Sequence, residues 1–181
     1  MVKEELFFLG LPIEGDSADS IRAFQREIKE LCGAERQLSI PLHITIMPPF
    51  RANREFLLSL EVLLFKELTG IGPIEMEMNG FGHFGKKVLF VEIRKNKRLS
   101  QFQRFVSELM SEKLGYTDTY DYLEFHPHIT LANRDFDAED FDTVWPHFSV
   151  RSFKSTIEID SLILYGHVAK TWERHTIFTL L

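Results

Sequence analysis

The runs HITI at 43–46 and HITL at 128–131 are nearly the same four letters, in a chain of 181 residues with seven histidines. Each sets an imidazole and a hydroxyl two residues apart. On a β-strand, positions i and i+2 share a face, so His43 and Thr45 project to one side and Ile44 and Ile46 to the other. His128 and Thr130 are separated in the same way from Ile129 and Leu131. Two such polar faces meeting across a groove suit a reaction that needs an acid and a base at once. An imidazole with an ordinary pKa of about 6.5 can be neutral in one copy and protonated in the other near neutral pH. Opening a cyclic phosphodiester makes that demand: one imidazole takes a proton from water and the other gives one to the departing ribose oxygen. The threonine hydroxyls can donate to the non-bridging phosphate oxygens. No metal or other cofactor is expected in this scheme.

The elements that must position these residues recur as well. Residues 4–12 (EELFFLGLP) are apolar enough for a buried strand. Residues 16–33 then place Ile21, Phe24, Ile28 and Leu31 at helical spacing, behind Asp and Ser as capping candidates and ahead of Gly33 as a stop. The second half repeats the order, with a strand at 87–94 (KVLFVEIR) and a helix at 98–115 whose apolar face runs Leu99, Phe102, Leu109, Met110 to Gly115. The next element in each half carries the His-x-Thr run. Beyond the runs, 53–70 and the Pro-interrupted 137–148 predict helices, and 73–84 and 155–168 predict strands. His43 and His128 lie 85 residues apart, and FGHF at 81 and YGHV at 165 lie 84 apart, so the offset is nearly constant. The chain therefore reads as duplicated, 4–84 against 87–168, with 171–180 as a closing strand matching 87–96. No Gly/Ser-rich linker divides the halves, which predicts one two-lobed domain over 1–181. The expected fold is α+β and bilobal, with two mostly antiparallel sheets lining a central cleft and helices packed outside.

Composition narrows the partners. Hydrophobic residues at 44% and 17 phenylalanines exclude a disordered chain. A net charge of -6 excludes coating of long nucleic acid, which rests on a basic surface, and leaves a small phosphodiester or an RNA end. The single cysteine, Cys32, allows no internal disulfide and fits a reducing compartment. Neither the amino terminus nor LLSLEVLLF is long and apolar enough for a signal peptide or a membrane span. A cytoplasmic monomer is expected.

PLHITI and FHPHITLANRDF resemble the paired His-x-Thr-x motifs of the two-histidine phosphoesterase superfamily, which includes the LigT-like 2′-5′ RNA ligase and cyclic phosphodiesterase proteins. The amino-terminal strand and helix, FGHFGKKVLFVEI and the late IDSLILYGH extend that resemblance over essentially the whole chain. It implies a bilobal α+β protein with His43 as general acid, His128 as general base and Thr45 and Thr130 on the phosphate. It also implies an aromatic beside the cleft that stacks on a base, for which Phe84 is the best match.

Other residues invite weaker readings. A single His-x-Thr run is usually an ordinary half-buried strand, and it is the second copy at the matching place that carries the chemistry. HPH at 126–128 could offer two metal ligands, but no third stands at a fixed spacing, so His126 reads as a structural or rim residue. His83 and His167 follow glycines at strand ends, where a solvated turn accounts for them. Arg51, Arg54 and Arg134 lie just past the motifs as candidate phosphate contacts. Specificity is expected in 47–55 and 115–125, whose Tyr116, Tyr120 and Tyr122 either stack on bases or cover a core edge. Three classes follow: a metal-independent phosphodiesterase acting on a 2′,3′-cyclic phosphate or a 2′-5′ linkage; a nucleotide- or RNA-end-binding module with little catalysis; and a scaffold. Binding alone does not need two proton-transfer groups, which favours the first.

Overall fold

Residues 5–12 carry an unbroken apolar run, and the strand they form, β1 (Glu5–Pro12), is buried from Phe7 onward. Such burial on both faces belongs to the interior of a sheet. The computed structural model describes residues 3–116 and 124–180. After β1 come α1 (Gly15–Cys32), a 3-10 turn (Arg36–Ser39), β2 (His43–Ala52), α2 (Arg54–Glu67), β3 (Ile74–Phe84), β4 (Val88–Ile93) and α3 (Lys97–Leu114). Then follow β5 (His128–Ala132), α4 (Ala138–Ser149), β6 (Lys154–Ile159), β7 (Ser161–Val168) and β8 (Thr171–Thr179). The strands form two four-stranded antiparallel sheets, ordered β2-β1-β7-β8 and β5-β4-β3-β6. The fold is the expected bilobal α+β arrangement.

Local signals explain most of the boundaries. Gly33 and Gly115 end α1 and α3 in the left-handed conformation, at φ 88° and 66°, where a Cβ would be strained. Asn53, Asn96 and Asp137 cap the starts of α2, α3 and α4 with side-chain oxygens. The start of α1 differs from expectation. Its cap is Glu14, which makes no side-chain capping bond, and Asp16 lies inside the first turn. Ser17 is drawn instead into a 2.7 Å hydrogen bond with Ser155 of β6.

Residues 155–168 are not one strand but two, in different sheets: β6 pairs with β3, and β7 lies between β1 and β8. The chain turns at Asp160, whose carbonyl accepts from Leu180 N at 2.6 Å. Alternation along a strand says which side chains are covered, not which sheet covers them.

The two sheets match position by position, since motif strand β2 pairs with β1 and β1 with β7, as β5 pairs with β4 and β4 with β3. The third strand of each sequence repeat thus sits in the other repeat's sheet. β8 follows β7 by a hairpin as β4 follows β3, yet β8 is an edge strand and β4 an inner one, so 171–180 does not take the place of 87–96. The helices cross over too. α1 leaves the first sheet and packs with α4 on the second, Phe24 meeting Phe81, Phe148 and Phe153 at centroid distances of 5.1, 6.0 and 5.1 Å. α3 leaves the second sheet and packs with α2 and β2. One continuous core, from Phe7 and Ile44 to Val91 and Phe178, runs through both lobes. Among the described residues no helix is long and apolar enough to cross a membrane.

Candidate active site

Strands β2 and β5 begin at the two histidines, and both show the same burial alternation. His43, Thr45, His128 and Thr130 are half-buried, while Ile44, Ile46, Ile129 and Leu131 lie in the core. The imidazoles are held alike: His43 Nδ1 donates to the Pro41 carbonyl and His128 Nδ1 to the His126 carbonyl, each at 2.7 Å. A carbonyl only accepts, so Nδ1 carries the proton and Nε2 keeps a lone pair for chemistry.

Supporting contacts differ between the lobes. The Phe8 ring lies 4.4 Å from that of His43, and Tyr165 stacks on Phe8 at 4.6 Å and 16°. A Cβ at Gly10 would come within 3.1 Å of His43 Cβ, so the glycine makes room for the imidazole. Beside His128 stand Phe84 edge-on at 5.0 Å and Phe90 at 4.9 Å. Gly82 admits them, since a Cβ there would lie 2.5 Å from the Phe90 ring.

The two motif segments are braced against each other and against α1. Arg22 donates to the carbonyls of Gln37 and Ile40 at 2.9 and 2.7 Å, fixing the approach to β2. Asp135, just past β5, accepts from the backbone of Glu35 and Arg36 at 2.9 and 2.8 Å. Buried Gln25 donates to the Thr130 carbonyl at 3.1 Å.

Thr45, Phe84, His126 and His128 line a single cleft of about 540 Å³. His43 and Thr130 line instead a separate tight crevice of about 10 Å³, so the two imidazoles do not line one and the same cavity. Each histidine therefore shares its space with the threonine of the other motif. Burial, opposed by the hydrogen bond to the Pro41 carbonyl and aided to a smaller degree by nearby His128, holds the His43 imidazole down at about 4. Burial also lowers His128, opposed by the hydrogen bond to the His126 carbonyl and aided to a smaller degree by the charge of the His126 ring. Both shifts favour the neutral imidazole.

The remaining sequence candidates lie elsewhere or act as supports. His126 stands on the cleft wall, its Nε2 2.9 Å from the Glu92 carboxylate. His83 packs on Phe141 and Trp145 of α4, and His167 on Trp172. Arg51, Arg54 and Arg134 are not among the residues lining the cleft. Tyr116 covers a core edge against Phe50 and Phe56, at 5.5 and 6.3 Å. Tyr120 and Tyr122 lie outside the described residues. Of the two segments expected to set specificity, Pro48 from one and Glu124 and Phe125 from the other do line the cleft.

Sequence reasoning missed one wall. The flank of α3 contributes Gln103, Ser107 and Ser111, with Arg104 and Glu108 beside them. A polar stripe of period four beside the apolar face was the available signal, but such stripes normally meet only solvent. Phe8, Gly10 and Tyr165 also passed unnoticed, because their closeness to His43 arises only when β1 pairs with both β2 and β7.

The family model described as the 2'-5' RNA ligase superfamily matches residues 16–171. A Bacillus cytotoxicus protein named as a candidate phosphoesterase is 29% identical over 148 residues, 78% of this chain and 80% of its own. A Bacillus cereus protein named likewise is 30% identical over 144 residues, with the same coverage. Among solved structures, E. coli LigT in its apo form matches over 98% of both chains with a TM-score of 0.73 and 15% identity. A Thermus thermophilus protein matches over 97% of both, with a TM-score of 0.71 and 18% identity. At such identity the structural likeness is one of fold, while the family match spans most of the sequence: the chain belongs to the 2'-5' RNA ligase superfamily.

Proposed function

We propose that the protein is a phosphodiesterase that opens a 2′,3′-cyclic phosphate, on a nucleotide or an RNA end, or cleaves a 2′-5′ linkage, by acid–base catalysis from His43 and His128. The observation that carries this reading is the matched anchoring of the two imidazoles through Nδ1, each beside the other motif's threonine. A module that only bound a nucleotide would have no use for two open Nε2 atoms. Family membership supports phosphoester chemistry. E. coli LigT, which shares the fold, has been crystallised with phosphate and with 3'-AMP, which supports reading the cleft as a place for a phosphate ester.

Water attacks phosphorus while His128 Nε2 takes its proton, and His43 Nε2 gives a proton to the departing ribose oxygen, leaving a phosphate monoester and a free hydroxyl. Thr45 and Thr130 donate to the non-bridging oxygens. His43 must first acquire the proton that burial drives off. A phosphodiester anion within about 4–6 Å raises a neighbouring pKa by about 1–3 units, so substrate binding itself loads the acid. No step requires a metal.

Turnover of 2′,3′-cyclic nucleotides in the presence of a chelator tests the proposal. His43→Ala should damage reactions of a poor alkoxide leaving group far more than those of a nitrophenolate, which leaves without an acid. His128→Ala should damage both alike, because water must still be activated. Selective rescue of His128→Ala would reverse the two labels, and rescue of neither would defeat the paired mechanism.

A further inference from the structure

The cleft beyond the histidines has a charge pattern that bears on substrate class. Its volume of about 540 Å³ lies within the range of about 300–1,000 Å³ typical of a pocket for one small ligand. Among the described lining residues Arg104 is the one lysine or arginine, and its Nε is already paired with Glu108 at 2.7 Å. The cleft is also lined by Glu124 and His126, and His126 Nε2 lies 2.9 Å from the Glu92 carboxylate. Lys95 meets Glu124 from outside the cleft at 3.6 Å. Gln103 and Ser107 supply neutral groups that both donate and accept, and the carboxylates accept from hydroxyls. Proteins that follow a nucleic acid strand instead present a positively charged groove, with sites of about 4–16 nucleotides. Here, among the described residues, no lysine or arginine other than the paired Arg104 lines the cleft.

Resting on the phosphodiesterase reading above, we infer that the substrate is a small phosphodiester with one negative charge, mononucleotide-sized, whose remaining part is uncharged and rich in hydroxyls, and not an RNA strand or a polyphosphate. The reacting phosphate sits between the two motifs, and the uncharged polyol or nucleoside lies along Gln103, Ser107 and Glu108. A second phosphate on that part would lie among carboxylates. At about 6 Å from one of them it loses on the order of 3- to 100-fold in affinity, depending on how well solvent screens the pair.

The experiment compares kcat/KM, with chelator present and at two salt concentrations, for 2′,3′-cyclic AMP, its 5′-phosphorylated form and a trinucleotide ending in a 2′,3′-cyclic phosphate. The expected result is that both additional charges lower kcat/KM about tenfold or more, and that added salt narrows the gap. Glu108→Gln removes a carboxylate and frees Arg104, so it should shift the preference toward the 5′-phosphorylated substrate. A kcat/KM that rises with chain length and falls steeply with salt overturns the inference. If none of the three turns over, the cyclic-phosphate activity of the proposed function fails, and the inference is decided by binding alone. Calorimetry then compares adenosine 2′-monophosphate with adenosine 2′,5′-bisphosphate: weaker binding of the bisphosphate upholds it, and tighter binding overturns it.

Discussion

Thr45 and Thr130 each offer a hydroxyl beside an imidazole of the opposite motif, and removing those hydroxyls is a clean test. Thr→Val keeps the β-branched shape that a strand favours, so both variants should fold as the parent does. Each should lose one charge-assisted hydrogen bond to phosphate, about 1.5 to 3 kcal/mol or roughly tenfold to a hundredfold in kcat/KM. Unchanged kinetics in both would remove the threonines from the mechanism. The histidines also tie stability to pH. Because the folded chain disfavours the charged imidazole at His43, down to about 4, the unfolded chain binds the proton first as the pH drops below its ordinary value of about 6.5. Stability should therefore be greatest above that value and decline as the pH falls through the window toward about 4. Denaturant melts at pH 7 and pH 5 should differ less in His43→Gln than in the parent, and an equal difference would show that His43 does not carry this linkage.

At the scale of elements, the imidazoles depend on what braces the strands that begin with them. Arg22 of α1 ties down the segment leading into β2 through three backbone carbonyls, those of Gln37, Leu38 and Ile40. Arg22→Met keeps much of the stem and removes the donors to the Leu38 and Ile40 carbonyls, while the Gln37 carbonyl keeps its bond from Ile40 N. The expected loss is about 2–3 kcal/mol in urea unfolding with an unchanged m-value. The His43 imidazole resonance should also shift more than that of His128. A variant that lost stability with both resonances unmoved would mean that Arg22 supports the fold without positioning β2. The α3 wall is the other lesson at this scale. Leu99, Phe102, Val106 and Met110 anchor the helix on their buried side, and the same anchoring turns the polar flank of the helix toward the cleft instead of bulk water.

At the scale of the molecule, the lobes are not independent. Each sheet takes strands from both halves of the chain, α1 and α3 each pack on the lobe whose strands they do not connect, and one core is continuous between them. Cooperative unfolding follows from that sharing. The two tryptophans report on different lobes, Trp145 in α4 beside the second sheet and Trp172 in β8 of the first. In Trp145→Phe and Trp172→Phe, the fluorescence of the remaining tryptophan should melt together with the far-ultraviolet dichroism of the same variant. Separate transitions would show that the lobes unfold one at a time.

What the sequence by itself determined was local or repeated. Period-two alternation placed His43, Thr45, His128 and Thr130 on the half-buried faces of two strands, opposite the core, helical spacing and the stops at Gly33 and Gly115 placed α1 and α3, and the near-constant offset between motifs implied two equivalent lobes. Each of these signals acts over a few bonds or recurs at a fixed interval, so one chain read in order contains it. Only the tertiary structure decided that residues 154–159 and 161–168 enter different sheets, that Gly10 yields space to His43, and that Tyr165 backs Phe8. The same holds for the α3 flank that walls the cleft with paired charges. Those facts depend on which surfaces meet after the chain has crossed from lobe to lobe, and a side chain's alternation or spacing carries no record of the partner it will meet.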